Sequence, residues 1–181
     1  IASNVTGIIT PYKKISKLLR KYDALVCFDA AASSPYINIP SKLYDAMFMS
    51  PHKLLGGPGS CGILVLRKSL IDTELSPTFA GGGTVQYVNK KEQVYQEEVE
   101  QREDAGTPGI LQLIRASLAY QLRNEIGFDF IKQQKDELIK RNLIKLPGIK
   151  QLAIYESFDQ NKLLHKVSYP TDLCNQSNQN K

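Results

Sequence analysis

The sequence predicts an α/β fold, a mostly parallel sheet flanked by helices and followed by the start of a smaller unit. Ala24–Phe28 is a short continuous apolar run, the mark of a strand covered on both faces; Tyr44–Met49 reads as another strand and Gly62–Leu66 as a further buried one. Amphipathic helical spacing lies between and after these runs. The segments just beyond the first two runs are polar or glycine-rich. In sheets of this class the ligand-binding groups sit at the carboxyl ends of the strands.

Ile1–Gly7 reads as a strand end running into a polar loop. Thr10 and Pro11 predict a helix start, with Thr10 as the N-cap, Pro11 at the first helical position, and Ile15, Leu18 and Leu19 on the apolar face. Ala24–Phe28 predicts a buried strand that ends in Asp29. Ala30–Pro40, small residues and prolines, predicts an irregular loop. Tyr44–Met49 predicts a second strand leading straight into Ser50 and Lys53, and Gly62–Leu66 a third, buried one.

Arg67–Asp72 predicts a surface turn or short helix, Pro77–Thr84 a glycine-rich loop, and Tyr95–Asp104 a charged, partly exposed segment. After Gly106–Gly109 the residues Ile110, Leu113, Ile114, Leu118 and Leu122 recur at helical spacing, with Ala116 and Ala119 allowing close packing. Phe128–Leu143 predicts a second amphipathic helix, broken at Pro147 and Gly148. The expected division is one unit over residues 1–145 and the start of a small domain over 146–167. A polar tail over 168–181 is expected to be disordered.

Composition narrows the function. In 181 residues, 42% apolar content is enough for a core. The net charge is +5, but the basic residues are spread over helix faces, which argues against a nucleic-acid partner. Cys27, Cys61 and Cys174 are far apart, odd in number, and lack metal or disulfide spacing. Cys27 and Cys61 lie in apolar runs and read as small core residues in a reducing compartment. No run of about 18 apolar residues occurs, so no membrane-spanning helix is expected. An intracellular, cytoplasmic location is the default expectation, with a mitochondrial one left open because the chain begins at Ile1.

The candidate chemistry centres on Lys53, set between an apolar run and Gly56, Gly57, Gly59 and Gly62. A lysine amine attacks carbonyls when dry or cationic surroundings lower its pKa. Ser50 and His52 beside it suit an anion such as a phosphate. The competing reading is a strand–turn–strand whose lysine simply reaches water. A carboxylate just past a buried strand is costly unless a cation meets it. Asp29 therefore either faces a ligand's positive nitrogen or caps the next turn. Gly81–Thr84 offers backbone donors and a hydroxyl suited to phosphate, or is merely a flexible loop. The alternation of strands and helices places Asn4, Asp29 and Lys53 on one edge of one sheet.

These segments together resemble the class V aminotransferase and cysteine desulfurase family, the pyridoxal-phosphate (PLP) enzymes of fold type I. The likeness is carried in order by Ser3–Gly7, Asp29, Ser50–Lys53 with the Gly-Pro-Gly-Ser-Cys-Gly-Ile-Leu that follows, Gly81–Thr84, Glu103–Pro108 and Leu146–Ile149. It implies that Lys53 holds PLP as a Schiff base and moves protons at the substrate α-carbon, with Asp29 paired to the pyridine nitrogen. It further implies that Ser50 and His52 bind the cofactor phosphate and that Asn4 meets the ring's phenolic oxygen. Gly82, Gly83 and Thr84 would reach the phosphate of the neighbouring subunit in a homodimer.

Ala32 stands where many members carry a glutamine on the phenolic oxygen. The implied activity is on a small amino-acid substrate, by transamination or carbon–sulfur lyase chemistry, with no metal. The resemblance also implies a fragment, lacking the N-terminal part of the large domain and most of the small domain. Cys174 falls in an unmatched polar stretch and is not read as a nucleophile. Beside this stands a catalytically inactive remnant serving as a structural or interaction piece.

Overall fold

A computed structural model describes residues 1–5 and 7–143. The expected small-domain start at 146–167 and the expected disordered tail at 168–181 lie outside the described residues. Helix α1 (Tyr12–Arg20) is followed by strands β1 (Cys27–Asp29), β2 (Ala46–Met49) and β3 (Ile63–Leu66). These form one sheet in the order β1-β2-β3. β1 and β2 are parallel, with Cys27 opposite Ala46 and Asp29 opposite Phe48. β3 joins antiparallel, with Met49 opposite Ile63. A hairpin of β4 (Val85–Val88) and β5 (Gln93–Tyr95), a short helix α2 (Val99–Glu103) and two longer helices, α3 (Ile110–Ile126) and α4 (Phe128–Leu143), complete the described chain.

The core lies on one side of the sheet. Val26, Phe28 and Ala30 from β1 and its flanks meet Tyr12 of α1, Ile39, Tyr44 and Met47. The Phe28 ring packs edge-on to Tyr12 with centroids 5.8 Å apart, a geometry that aligns ring edge with ring face. Ser16 is buried on α1 and donates its hydroxyl to the Leu43 carbonyl at 2.6 Å, which fixes the helix to the segment entering β2.

Several expectations are corrected. The strand around Ala24–Phe28 is not covered on both faces: Leu25, Cys27 and Asp29 are exposed while Val26, Phe28 and Ala30 are buried. α1 and the Ile39–Tyr44 segment cover one face, so the period-two alternation of a half-covered sheet results. For the same reason Cys27 is exposed rather than a core residue, and Cys61 is only half-buried. β3 likewise is not a buried strand, with Leu64 and Val65 exposed on the sheet's far edge.

The helix start falls one residue later than expected. Pro11 takes the cap position, and Thr10 donates its hydroxyl to the Ile1 carbonyl at 3.0 Å instead of capping. Of the expected apolar face of α1, Ile15 and Leu18 are exposed, and Leu19 alone packs against the core. Ile110, Leu113, Ile114, Leu118 and Leu122 of α3 are also exposed. Ala116 and Ala119 are its buried residues, as close packing by small side chains predicts.

One buried charge organises the start of β2. The Asp45 carboxylate, 2% exposed, accepts from Arg20 at 2.6 Å and forms an ion pair with Arg67 at 3.2 Å. It also accepts from the Val26 N–H at 2.8 Å. The hydrogen bond from Arg20 and then that from Val26 hold the Asp45 carboxyl below the usual carboxylate range, against the opposing effect of burial. The end of α1, the entry to β1 and the exit from β3 thus converge on one side chain.

Candidate active site

Because β1 and β2 run parallel, the segments leaving them emerge at the same edge of the sheet. Asp29 is the last residue of β1, and its side chain is exposed. Its Oδ1 accepts the Ala31 N–H at 2.8 Å, so one carboxylate oxygen does cap the following turn. The other oxygen meets no hydrogen-bond donor among the described residues. The Asp29 carbonyl accepts the Ile1 amino group at 2.7 Å.

Beyond β2 the chain closes a series of tight turns. Lys53 N–H donates to Ser50 at 3.0 Å, Leu54 N–H to Pro51 at 2.9 Å and Gly57 N–H to Leu54 at 3.0 Å. The 3-10 turn Pro51–Lys53 buries Pro51 and, just after it, Leu54, leaving His52 and Lys53 exposed. No other described residue engages the Lys53 amine or the His52 ring. The compactness of this turn depends on Gly57, where a Cβ would lie 1.9 Å from the Pro51 carbonyl oxygen.

Asn4 does not sit at a strand end, which corrects the expectation for Ile1–Gly7. Ala2 bridges Ile9 antiparallel, Ser3 N–H donates to Ile8 and Gly7 N–H to Ser3, both at 3.0 Å. The segment is a tight reversal with Gly7 at φ +72°, a region open chiefly to glycine. Asn4 lies in its turn.

Gly81–Thr84 forms a loop whose hydroxyl is turned inward. Thr84 is fully buried, donates Oγ1 to the Gly81 carbonyl at 2.8 Å and accepts the Gly81 N–H at 3.1 Å. Gly81, Gly82 and Gly83 are the exposed part. Gly106 N–H donates to the Gly82 carbonyl at 2.8 Å, so the triple-glycine segment and the Glu103–Pro108 segment, remote in sequence, are joined. Arg102 is the buried residue of the charged, partly exposed Tyr95–Asp104 stretch; it donates to the Leu75 carbonyl and lies 5.2 Å from the Tyr95 ring.

Sequence reasoning missed the side chains on α3 that back this region. Arg115 donates to the Pro58 carbonyl at 2.9 Å, Tyr120 donates its hydroxyl to Met49 Sδ at 3.2 Å, and Arg123 donates to the Ser34 carbonyl at 3.0 Å. Burial pushes the Tyr120 phenol up and the Arg123 guanidinium down from their ordinary values. Their partners lie dozens of residues away, and spacing along one helix carries no sign of them. Among the described residues there is no group of three or more His, Cys, Asp or Glu that could hold a metal. Nor is any helix there long and apolar enough to cross a membrane.

The family profile described as Aminotransferase class-V matches residues 1–179. A probable cysteine desulfurase of Aeropyrum pernix is 34% identical over 146 residues, 78% of this chain and 35% of that protein. The apo structure of a cysteine desulfurase from Thermococcus onnurineus aligns with a TM-score of 0.71 at 29% identity, over 83% of this chain and 37% of that one. A NifS-like protein from Rickettsia africae aligns with a TM-score of 0.58 at 25% identity, over 81% of this chain and 37% of that one. The chain thus spans little more than a third of the length of these relatives. PLP dependence, fold type I and a dimeric state are general features of the family. From its ordered motifs, its parallel strand pair and a profile match over nearly its whole length, the chain belongs to the class-V aminotransferase family.

Proposed function

We propose that this chain supplies the lysine-and-acid side of a PLP site acting on an amino acid. The relatives named above favour sulfur removal from cysteine over transamination. The observation that carries the reading is the pairing of β1 with β2. It delivers Asp29 and the Lys53 turn to one sheet edge, both side chains exposed and each with an unengaged polar group.

The donor set fits the cofactor: an amine for its aldehyde, a carboxylate oxygen still unused for its ring nitrogen, and the Ser50 hydroxyl and His52 imidazole for its phosphate. When bound, PLP supplies an electron sink next to the substrate α-carbon. Lys53 would hold the cofactor and is the amine that would move the substrate α-proton. Asp29 keeps a proton on the ring nitrogen by offering it a negative partner. Asn4 orients the ring through its phenolic oxygen. In a homodimer the exposed Gly82 and Gly83 would contribute to holding the phosphate of the neighbouring subunit's cofactor. The Thr84 hydroxyl is committed to Gly81, so backbone N–H groups of this loop provide that anion contact.

The test is spectroscopic. Adding PLP to the intact protein is expected to give a visible absorption band that borohydride removes, with the reduced adduct mapping to Lys53. Lys53→Ala is expected to lose the band completely, and a band unchanged in that variant would overturn the reading. Asp29→Asn is expected to keep the band while lowering turnover of the amino acid by roughly 10²-fold, the usual loss when one charge-stabilising partner is removed. Equal rates in the two proteins would remove Asp29 from its assigned role.

A further inference from the structure

The guanidinium of Arg123 is held in an unusual way. It lies 4.5 Å from the Tyr120 ring and 4.7 Å from the Phe128 ring. Its Nη1 donates to the Ser34 carbonyl at 3.0 Å, and its other nitrogens donate to Asn124. Among the described residues no carboxylate pairs with it. A cation stacked on aromatic rings, with its edge spent on a remote backbone carbonyl, fixes geometry more than it neutralises charge.

What it fixes is the segment directly after Asp29. Residues 30–37 form consecutive turns, with Ser34 N–H donating to Ala30 at 2.8 Å and Ile37 N–H to Ser33 at 2.9 Å. Ser33 and Ser34 are buried within them. Lys135 of α4 adds a second hold, its amine 5.2 Å from the Tyr36 ring. The same helix that carries Arg123 also reaches the end of β2, because Tyr120 donates to Met49 one residue before Ser50. One turn of α3 therefore grips the exits of both strands.

We propose that Arg123 and Tyr120 are positioning residues: through one turn of α3 they set the segment leaving Asp29 relative to the segment carrying Lys53. This rests on the cofactor reading given above for its chemical consequence, but the mechanical part stands on these contacts alone. Arginine is required because a lysine ammonium cannot stack its plane on aromatic faces while also donating along its edge.

The experiment uses the intact protein with Arg123→Gln, Arg123→Lys and the milder Tyr120→Phe, each first checked for cooperative melting. Amide hydrogen exchange is measured without cofactor, and PLP affinity by titrating the Lys53-dependent band. In both Arg123 variants, exchange at Ser33, Ser34, Tyr36 and Ile37 is expected to rise about tenfold while the β1–β2 amides keep their protection, the factor one lost interaction of this class is worth. PLP affinity is expected to fall by a similar factor, with the same band at saturation. Tyr120→Phe is expected to act in the same direction on Ser50–Leu54.

Unchanged exchange in residues 30–37 overturns the proposal, as does full rescue by Arg123→Lys. So does unchanged PLP affinity despite faster exchange. If the parent protein gives no Lys53-dependent band, the cofactor reading fails and the exchange result alone decides whether Arg123 holds this segment. Should Arg123→Gln fail to fold, the Arg123→Lys and Tyr120→Phe results decide.

Discussion

Gly57→Ala is expected to destabilise the chain by about 3 kcal/mol or more, because the new methyl has nowhere to go. A Cβ there would stand 1.9 Å from the Pro51 carbonyl oxygen and 3.1 Å from that of Leu54. Both are backbone atoms of the same tight turn, and Pro51 is itself fully buried. A flexible side chain could swing aside; these carbonyls cannot without opening the turns that carry His52 and Lys53. Thermal unfolding of the two proteins checks it, with a fall of roughly 6–12 °C expected for a chain of this size. Gly82→Ala is the control, since no atom lies within 4 Å of its added Cβ. It should melt within about 0.5 kcal/mol of the parent, as surface substitutions usually do. Equal melting of Gly57→Ala and the parent would show that the turn around Lys53 is looser than its geometry.

The second large effect is expected at Asp45. Asp45→Ala removes the acceptor shared by Arg20 and the Val26 N–H, together with the ion-pair partner of Arg67. A buried group left without its partner costs several kcal/mol, but Arg20 is one-third and Arg67 one-half exposed and can turn to water. A loss of about 2–3 kcal/mol is therefore expected, most of it from the stranded Val26 N–H and the nearly buried face of Arg20. The contribution also has a definite pH dependence. The carboxyl is held below its ordinary value in the folded chain, so its stabilisation is complete above the unfolded value of about 3.9 and is lost as pH falls through the lower folded one. Denaturant titrations of parent and Asp45→Asn should differ at pH 7 and converge as the medium is acidified below about pH 4. A gap that widens on acidification would contradict the assigned sign.

The parts of this fold that could be read from residue order are those governed by local rules. The start of α4 and the extent of α3 follow from helical spacing on either side of Gly127. The turn at Lys68–Leu70 follows from a short charged break after an apolar run. The β4–β5 hairpin is legible by the same local rules. Val85–Val88 and Gln93–Tyr95 flank Asn89, whose side chain accepts from the Lys91 and Glu92 N–H groups and shapes the reversal.

Burial was the quantity that local rules could not deliver. An apolar run such as Ala24–Phe28 looks the same whether one or both faces are covered. The outcome depends on which helices pack above it, as the exposed Leu25 and buried Val26 show. The candidate site divides along the same line. Lys53, His52 and Asp29 announce themselves by type and by their place after strands. Arg123 and Tyr120 matter through contacts spanning 89 and 71 positions, and no pattern within α3 distinguishes them from solvent-facing residues.

The open side of β1 has a consequence for how this chain behaves as a colloid. β1 ends the sheet among the described residues, and a shallow apolar groove lined by Ile1, Tyr12, Ile15 and Leu25 runs along it. An uncovered strand edge beside greasy side chains invites docking of extended backbone from other molecules, a process that accelerates steeply with protein concentration. A surplus of +5 charges supplies long-range repulsion against it, and that repulsion fades as ionic strength rises. Dilute, low-salt conditions are therefore where these molecules stay apart.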